Sequence, residues 1–112
     1  MDIPCPACGF LVFEDYYGSY NICPVCDWED DGVQLANPCS GGGANKESLY
    51  ERQQSNLVRL PLNVSEAKGY ERDARWRPLT EEEFARYCQL KEREYWHSKA
   101  ILNPGETYWG GA

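Results

Sequence analysis

Two short cysteine motifs decide the fold of this chain: Cys5-Pro6-Ala7-Cys8-Gly9 and Cys23-Pro24-Val25-Cys26. In each motif two residues separate the cysteines, so both sulfur atoms can lie on one side of a tight turn. Two such turns that face each other form the thiolate tetrahedron of a structural zinc site, with Zn–S bonds of about 2.3 Å. The spacing is close to that of zinc ribbons, whose paired turns lie about 15–20 residues apart. The sequence therefore predicts a metal site with four ligands, Cys5, Cys8, Cys23 and Cys26.

Two disulfides or four free thiols are the alternatives for these cysteines. The chain begins Met-Asp-Ile-Pro and shows neither the basic segment nor the apolar segment of a secretory signal. No apolar run approaches the ~20 residues of a membrane span. We therefore expect a cytoplasmic protein without membrane association, in which thiols stay reduced and paired cysteine turns bind metal. Zn2+ is the predicted structural cofactor, and iron is the alternative.

The charges of the chain are unevenly distributed. Residues 1–44 contain seven acidic residues and no Lys or Arg, whereas eleven basic residues balance eleven acidic ones from residue 45 onward. The formal net charge of −7 therefore belongs to the cysteine segment. Such a surface repels phosphates, and zinc ribbons that bind nucleic acid are normally basic. We expect a basic protein partner and no direct contact with nucleic acid; a merely solvated surface is the alternative.

The predicted partner-binding residues lie around the second cysteine motif. Three consecutive acids begin three residues after Cys26: Glu29, Asp30 and Asp31. Three neighbouring acids cannot all be buried without partners. Trp28 and Tyr17 could contact the same partner. For the tyrosines of this segment, shielding of the hairpin is the alternative interpretation.

The remaining pattern predicts a small α+β fold. The runs 10–13 and 19–22 are expected to pair as a β-hairpin whose ends the metal pins. Asn45 is expected to cap a helix over residues 46–57. Thr80 and Glu83 form a capping box for a second helix that runs to about Ser98. We predict a single domain over residues 1–112, with a zinc-ribbon or rubredoxin-like unit at 1–45 and a helical part at 46–112 packed on it.

Four blocks of sequence, in the same order, resemble the cysteine-rich CPCC family of small bacterial proteins. They are Cys-Pro-x-Cys-Gly at 5–9, Gly-Ser-Tyr-x-Ile-Cys-Pro-Val-Cys at 18–26, Trp-Glu-Asp-Asp-Gly-Val-Gln at 28–34, and Gly-Gly-Ala-Asn-x-x-Ser-Leu at 42–49. The resemblance covers about residues 3–57. Ala7 stands where the family's Cys-Pro-Cys-Cys motif has its middle cysteine, which leaves the two outer ligands intact. The resemblance implies zinc bound by the four cysteines. Because some members resemble immunity proteins, it also implies an antitoxin that blocks a basic bacterial toxin such as a nuclease.

The sequence argues against an enzyme. His97 is the single histidine, and zinc with four cysteine ligands has no open position for a reacting water. We interpret Cys39 as a bystander in a glycine-rich loop and Cys88 as a small buried apolar residue. Two further functions stay open: an iron-containing electron carrier similar to rubredoxin, which uses the same type of cysteine turn, and a structural subunit of a larger assembly.

Overall fold

The computed structural model describes residues 2–93 and 99–110. The strands are β1 (Asp2–Pro4), β2 (Leu11–Glu14), β3 (Glu66–Ala67) and β4 (Tyr70–Glu71). The helices are α1 (Gly32–Ala36), α2 (Leu49–Arg59) and α3 (Glu81–Arg93), with a 3-10 turn at Pro104–Glu106. This is the predicted small α+β fold, with an N-terminal hairpin and a four-cysteine cluster followed by helices. None of the helices in the described part of the chain combines the length and the apolarity that spanning a bilayer requires.

One strand of the N-terminal hairpin is as predicted and the other is not: β2 overlaps the predicted run 10–13, but its partner is β1 and not residues 19–22. β2 pairs antiparallel with β1, and Ile3 lies opposite Phe13 with both side chains buried. The predicted second strand, residues 19–22, instead lies beside the chain that leaves the second cysteine turn, where Ile22 bridges to Glu29. The prediction was wrong because each cysteine turn joins the two segments that flank it, and not the segments between the two turns.

A short helix follows the second cysteine motif and Trp28. The short helix α1 begins after Asp31, whose Oδ1 accepts hydrogen bonds from the backbone N–H groups of Val33 and Gln34 at 2.8 and 3.1 Å. The other carboxylate oxygen accepts from the backbone N–H of Ala44 at 3.0 Å. Asp31 thereby caps α1 and attaches the glycine-rich loop to it.

Helix α2 begins three residues later than the sequence predicts. Ser48, and not Asn45, is the cap: its hydroxyl accepts from the Glu51 N–H, and the Glu51 carboxylate accepts from the Ser48 N–H. Asn45 is buried, and its side-chain amide bonds to both backbone groups of Glu29. The Ser-x-x-Glu spacing of Ser48 and Glu51 is itself a capping-box pattern, whereas the role of Asn45 depends on its tertiary contact with Glu29.

The predicted start of α3 is confirmed. The Thr80 hydroxyl accepts from the Glu83 N–H at 3.1 Å, and the Glu83 carboxylate accepts from the Thr80 N–H at 3.0 Å. The predicted end of this helix near Ser98 lies outside the described residues. Tyr50 of α2 stacks on Phe84 of α3, with the ring centroids 4.1 Å apart.

Cys39 and Cys88 are joined in a disulfide across a sequence separation of 49 residues. The interpretation of Cys39 as a bystander and of Cys88 as a free apolar residue was therefore wrong. The bond connects the loop after α1 to the middle of α3. Neither cysteine lies in a motif whose spacing predicts which cysteine it bonds to, so the pairing depends on how the two distant segments pack.

Candidate metal centre

The four cysteines of the two turns converge on one point in the interior. Their Sγ atoms all lie within 4.8 Å of one another. Cys5 and Cys26 have their sulfurs 3.8 Å apart, and Cys8 and Cys23 have theirs 3.7 Å apart. A tetrahedral ion with metal–sulfur bonds of about 2.3 Å requires sulfurs about 3.8 Å apart. The donor set therefore fits a metal ion of this kind.

Each cysteine turn is closed by the same backbone hydrogen bonds. In the first, the N–H of Gly9 donates to the Cys5 carbonyl at 2.8 Å, and the N–H of Cys5 donates to the Phe10 carbonyl at 2.8 Å. The equivalent bonds of the second turn join Asp27 to Cys23 and Cys23 to Trp28, at 2.9 and 2.8 Å. We call residues 5–10 and 23–28 the first and second knuckle. The repeated pattern places both sulfurs of each knuckle on the side that faces the other.

Both knuckles require a left-handed backbone directly after their second cysteine. Gly9 has φ of +84° and Asp27 has φ of +66°. Glycine adopts this conformation without steric cost, and Asp and Asn tolerate it better than most residues. The first motif has glycine at this position, and the second motif has aspartate in the same conformation.

The burial of the thiols explains why they need a cation. Cys5, Cys8 and Cys23 are fully buried, and Cys26 is 4% exposed. Burial raises the pKa of the Cys5 thiol well above its usual value, and the hydrogen bond with Cys23 raises the pKa of Cys8. Four thiolates cannot share such a site without a positive charge among them. A divalent ion would take the place of the protons and supply that charge.

Side chains from α2 and from the chain after β4 hold the first knuckle. The side-chain amide of Gln53 donates to the Pro6 carbonyl at 2.8 Å, and that of Asn56 donates to the Ala7 carbonyl at 2.9 Å. The Trp76 indole donates to the Pro6 carbonyl at 3.2 Å. These donors were not predicted from the sequence. The available signal was a pair of amide side chains, Gln53 and Asn56, three residues apart in α2.

The structure places most of the predicted partner-binding residues inside the protein. Trp28, Tyr17 and Asp30 are fully buried, and Asp31 is 5% exposed. Glu29 is half-buried. These four buried side chains are not accessible to a partner, so the prediction that they form a contact surface is inconsistent with the structure.

The buried acids and Tyr17 have structural partners. Asp30 Oδ2 accepts from both the N–H and the hydroxyl of Ser19, at 3.0 and 2.8 Å, which orders the loop between the knuckles. The hydroxyl of Tyr17 donates to the Pro4 carbonyl at 2.6 Å, and the Tyr17 ring meets the edge of Trp109. The acids were predicted as exposed because local sequence does not show which backbone donors surround them.

Fold and donor set together define a small α+β module with a cysteine-rich metal centre. The sequence pattern described as cysteine-rich CPCC matches residues 3–60, which is more than half of the chain. The chain belongs to the cysteine-rich CPCC family. A comparison with curated proteins finds no match to it.

Proposed function

We propose that this chain is a zinc-binding protein-interaction module without catalytic activity, and that its partner is a basic protein of the toxin class. The carrying observation is the closed tetrahedral set of four buried sulfurs. Four protein ligands leave no position for a substrate or a reacting water, so the ion would act as a structural element. The sulfur distances suit iron equally well, but the burial of all four sulfurs leaves little metal-centre surface through which to exchange electrons.

Metal analysis tests the first part of the proposal. Native protein purified with a thiol reductant is expected to contain zinc, to show no colour, and to lose secondary structure when a chelator removes the metal. A red protein with iron bound to thiolates would support the rubredoxin-like function instead. Protein that contains neither metal, and that takes up neither when reduced and supplied with it, would overturn the proposed metal centre.

A shallow groove along the segment that joins the two knuckles is a candidate for the contact surface that the buried acids cannot provide. Its volume is about 350 Å³, and its wall contains the exposed side chains of Glu14, Asp15, Tyr16 and Ile22. Tyr16 is 58% exposed and Ile22 is 60% exposed. We call this surface the Tyr16 groove. Exposed aromatic and aliphatic groups of this size are typical of protein-binding surfaces.

Backbone strain beside the groove supports the same assignment. Tyr20 has φ of +62° although it is not glycine, and its ring is 58% exposed. Residues in this conformation cost about 1–3 kcal/mol and are found preferentially at functional sites. The hydrogen bonds of Asp30 to Ser19 hold the adjacent backbone, so the buried acid would support the groove instead of touching the partner.

The charge of this segment favours a basic partner. The segment that builds the groove contains no Lys or Arg up to residue 44. An acidic surface attracts a basic partner over long distances and would compete with nucleic acid for the cleft of a nuclease toxin. The resemblance of some family members to immunity proteins agrees with this role.

The partner test uses the proteins encoded by the two neighbouring genes. We expect one of them to be basic and to bind the zinc-loaded chain in titration calorimetry, with an affinity that falls as salt rises. The double variant Glu14→Lys/Asp15→Lys should weaken binding by about tenfold or more. A matched control, Glu66→Lys/Glu71→Lys, makes the same charge change on the β3–β4 hairpin and should bind like the wild type. Adjacent genes without a basic product, or equal binding by both variants, would overturn the toxin-binding proposal.

A further inference from the structure

Two arginines contact the two knuckles at equivalent positions. Arg72 Nε donates to the carbonyl of Cys8 at 3.0 Å, and Arg52 Nη1 donates to the carbonyl of Cys26 at 2.6 Å. Each carbonyl belongs to the second cysteine of its knuckle. Two segments that are unrelated in sequence, helix α2 and the chain after β4, therefore supply the same group to the same atom of each half of the centre.

The equivalence extends to the aromatic residue that closes each knuckle. The Arg72 guanidinium lies 4.5 Å from the ring centroid of Phe10, which follows Cys8 by two residues. The Arg52 guanidinium lies 5.9 Å from the Trp28 ring, in the same position relative to Cys26. Cation–π contacts of this kind fix a guanidinium on a ring face. Each positive charge is thereby kept next to its knuckle.

The two arginines differ in how much of their charge faces the metal centre. Arg52 forms an ion pair with Glu47, so a carboxylate offsets part of its charge. Arg72 instead donates its remaining N–H groups to three backbone carbonyls at 2.6–3.0 Å, those of Leu60, Pro61 and Val64. Carbonyl acceptors hold the guanidinium without neutralising it. Arg72 is therefore the stronger of the two positive groups.

We infer that Arg52 and Arg72 are positioning residues of the metal centre that offset its negative charge and so slow the release of the ion. Four thiolates around a divalent cation have a net charge of about −2, which costs free energy in a buried site unless positive groups lie nearby. Two guanidiniums on the knuckle carbonyls supply this compensation. Outer groups of this kind commonly change metal affinity by about 10–100-fold. Because Arg72 lies beyond the matched family segment, which ends at residue 60, the rest of the chain would control metal retention. The inference rests on the proposed metal binding.

The rate of zinc transfer from the full zinc-loaded chain to a chromogenic chelator tests the effect of Arg72. Arg72→Met, which keeps the apolar stem and removes the charge, should release zinc about tenfold faster. Arg72→Lys keeps the charge and should stay within about threefold of the wild type. Arg75→Met, which removes an exposed guanidinium three residues away, should leave the rate unchanged. A Lys variant as fast as the Met variant, or a Met variant with an unchanged rate, would overturn the inference.

A second variant separates charge from structural support and remains informative if Arg72→Met does not fold. Glu47→Gln removes the carboxylate that offsets Arg52, so zinc release should slow by about twofold or more. Loss of a purely structural ion pair would instead leave the rate unchanged or raise it, and either result overturns the inference. Glu82→Gln, on the exposed face of α3, is the control. Wild-type protein that takes up no zinc would overturn both proposals, whereas bound zinc with rates that ignore all these charges would overturn this inference alone.

Discussion

The two knuckles have the same backbone but different surroundings. In the first, Pro6 and Ala7 are buried, and Gly9 lies so close to Trp76 that an added Cβ would stand 2.3 Å from the ring. In the second, Pro24 and Asp27 are exposed. The first knuckle is therefore part of the core, whereas the second knuckle has residues at the surface. We expect a bound metal to constrain the cysteines of both turns. Packing constrains Pro6, Ala7 and Gly9 of the first turn more than Pro24 and Asp27 of the second, where only Val25 and Trp28 are buried beside the cysteines.

Loss of a ligand should have the largest effect and should not distinguish the knuckles. Cys8→Ser and Cys26→Ser each remove one of four thiolates, so both variants should lose the metal and most of the stability that it supplies. Structural zinc in small modules contributes about 10–16 kcal/mol. Thermal unfolding with and without chelator, together with zinc analysis, measures this. A Cys26→Ser variant with normal metal content and melting temperature would show that the second knuckle is dispensable.

Exchange of the residue after the second cysteine should separate the knuckles. Gly9→Asp forces a side chain into Trp76 as well as into a left-handed backbone, and we expect it to cost about 3 kcal/mol or more. Asp27→Gly relaxes the backbone at an exposed position and should change stability by less than about 1 kcal/mol. Urea denaturation of the zinc-loaded variants gives both values. Equal costs would contradict the contrast between a packed and an exposed knuckle.

Removal of the side chain that donates to each knuckle should again destabilise the first knuckle more than the second, but by a smaller amount. Gln53 donates to Pro6 and to the Tyr108 hydroxyl, and it accepts from the Leu79 N–H, all in a buried position. Gln53→Leu should therefore cost about 1–3 kcal/mol, because it leaves buried groups without partners. Lys68 donates to the Pro24 carbonyl at the surface, and Lys68→Ala should stay within about 0.5 kcal/mol of the wild type. Urea denaturation measures both values. A larger loss of stability for Lys68→Ala than for Gln53→Leu would contradict the contrast between a packed first knuckle and an exposed second one.

The metal centre could be predicted from the sequence because its information is local. Two cysteines separated by two residues can direct both sulfurs to one side of a turn, whatever packs around it. The capping box of Thr80 and Glu83 was predictable for the same reason, since both partners lie within one helical turn. The cysteine motifs and the blocks after them also supported the family resemblance, which the family match over residues 3–60 confirms.

The burial of Asp30 and Asp31 could not be predicted in this way. In the sequence, they are two of three consecutive acids, a pattern that indicates a solvated surface. In the folded chain, both oxygens of Asp31 accept hydrogen bonds, from Val33, Gln34 and Ala44, and Asp30 Oδ2 accepts two from Ser19, which offsets part of the cost of burial. Asp30 Oδ1 has no hydrogen-bond partner among the described residues. The partners of the two acids include groups 11 to 13 residues away, beyond the reach of any periodicity argument.

By itself, the sequence determined that four sulfurs can gather around one ion, because the geometry of each cysteine turn is a property of a few adjacent residues. Only the tertiary structure decided what surrounds that ion. The Cys39–Cys88 disulfide and the guanidiniums of Arg52 and Arg72 on the knuckle carbonyls join distant segments. Such contacts form because burying the whole chain brings these groups together, and no local pattern records them.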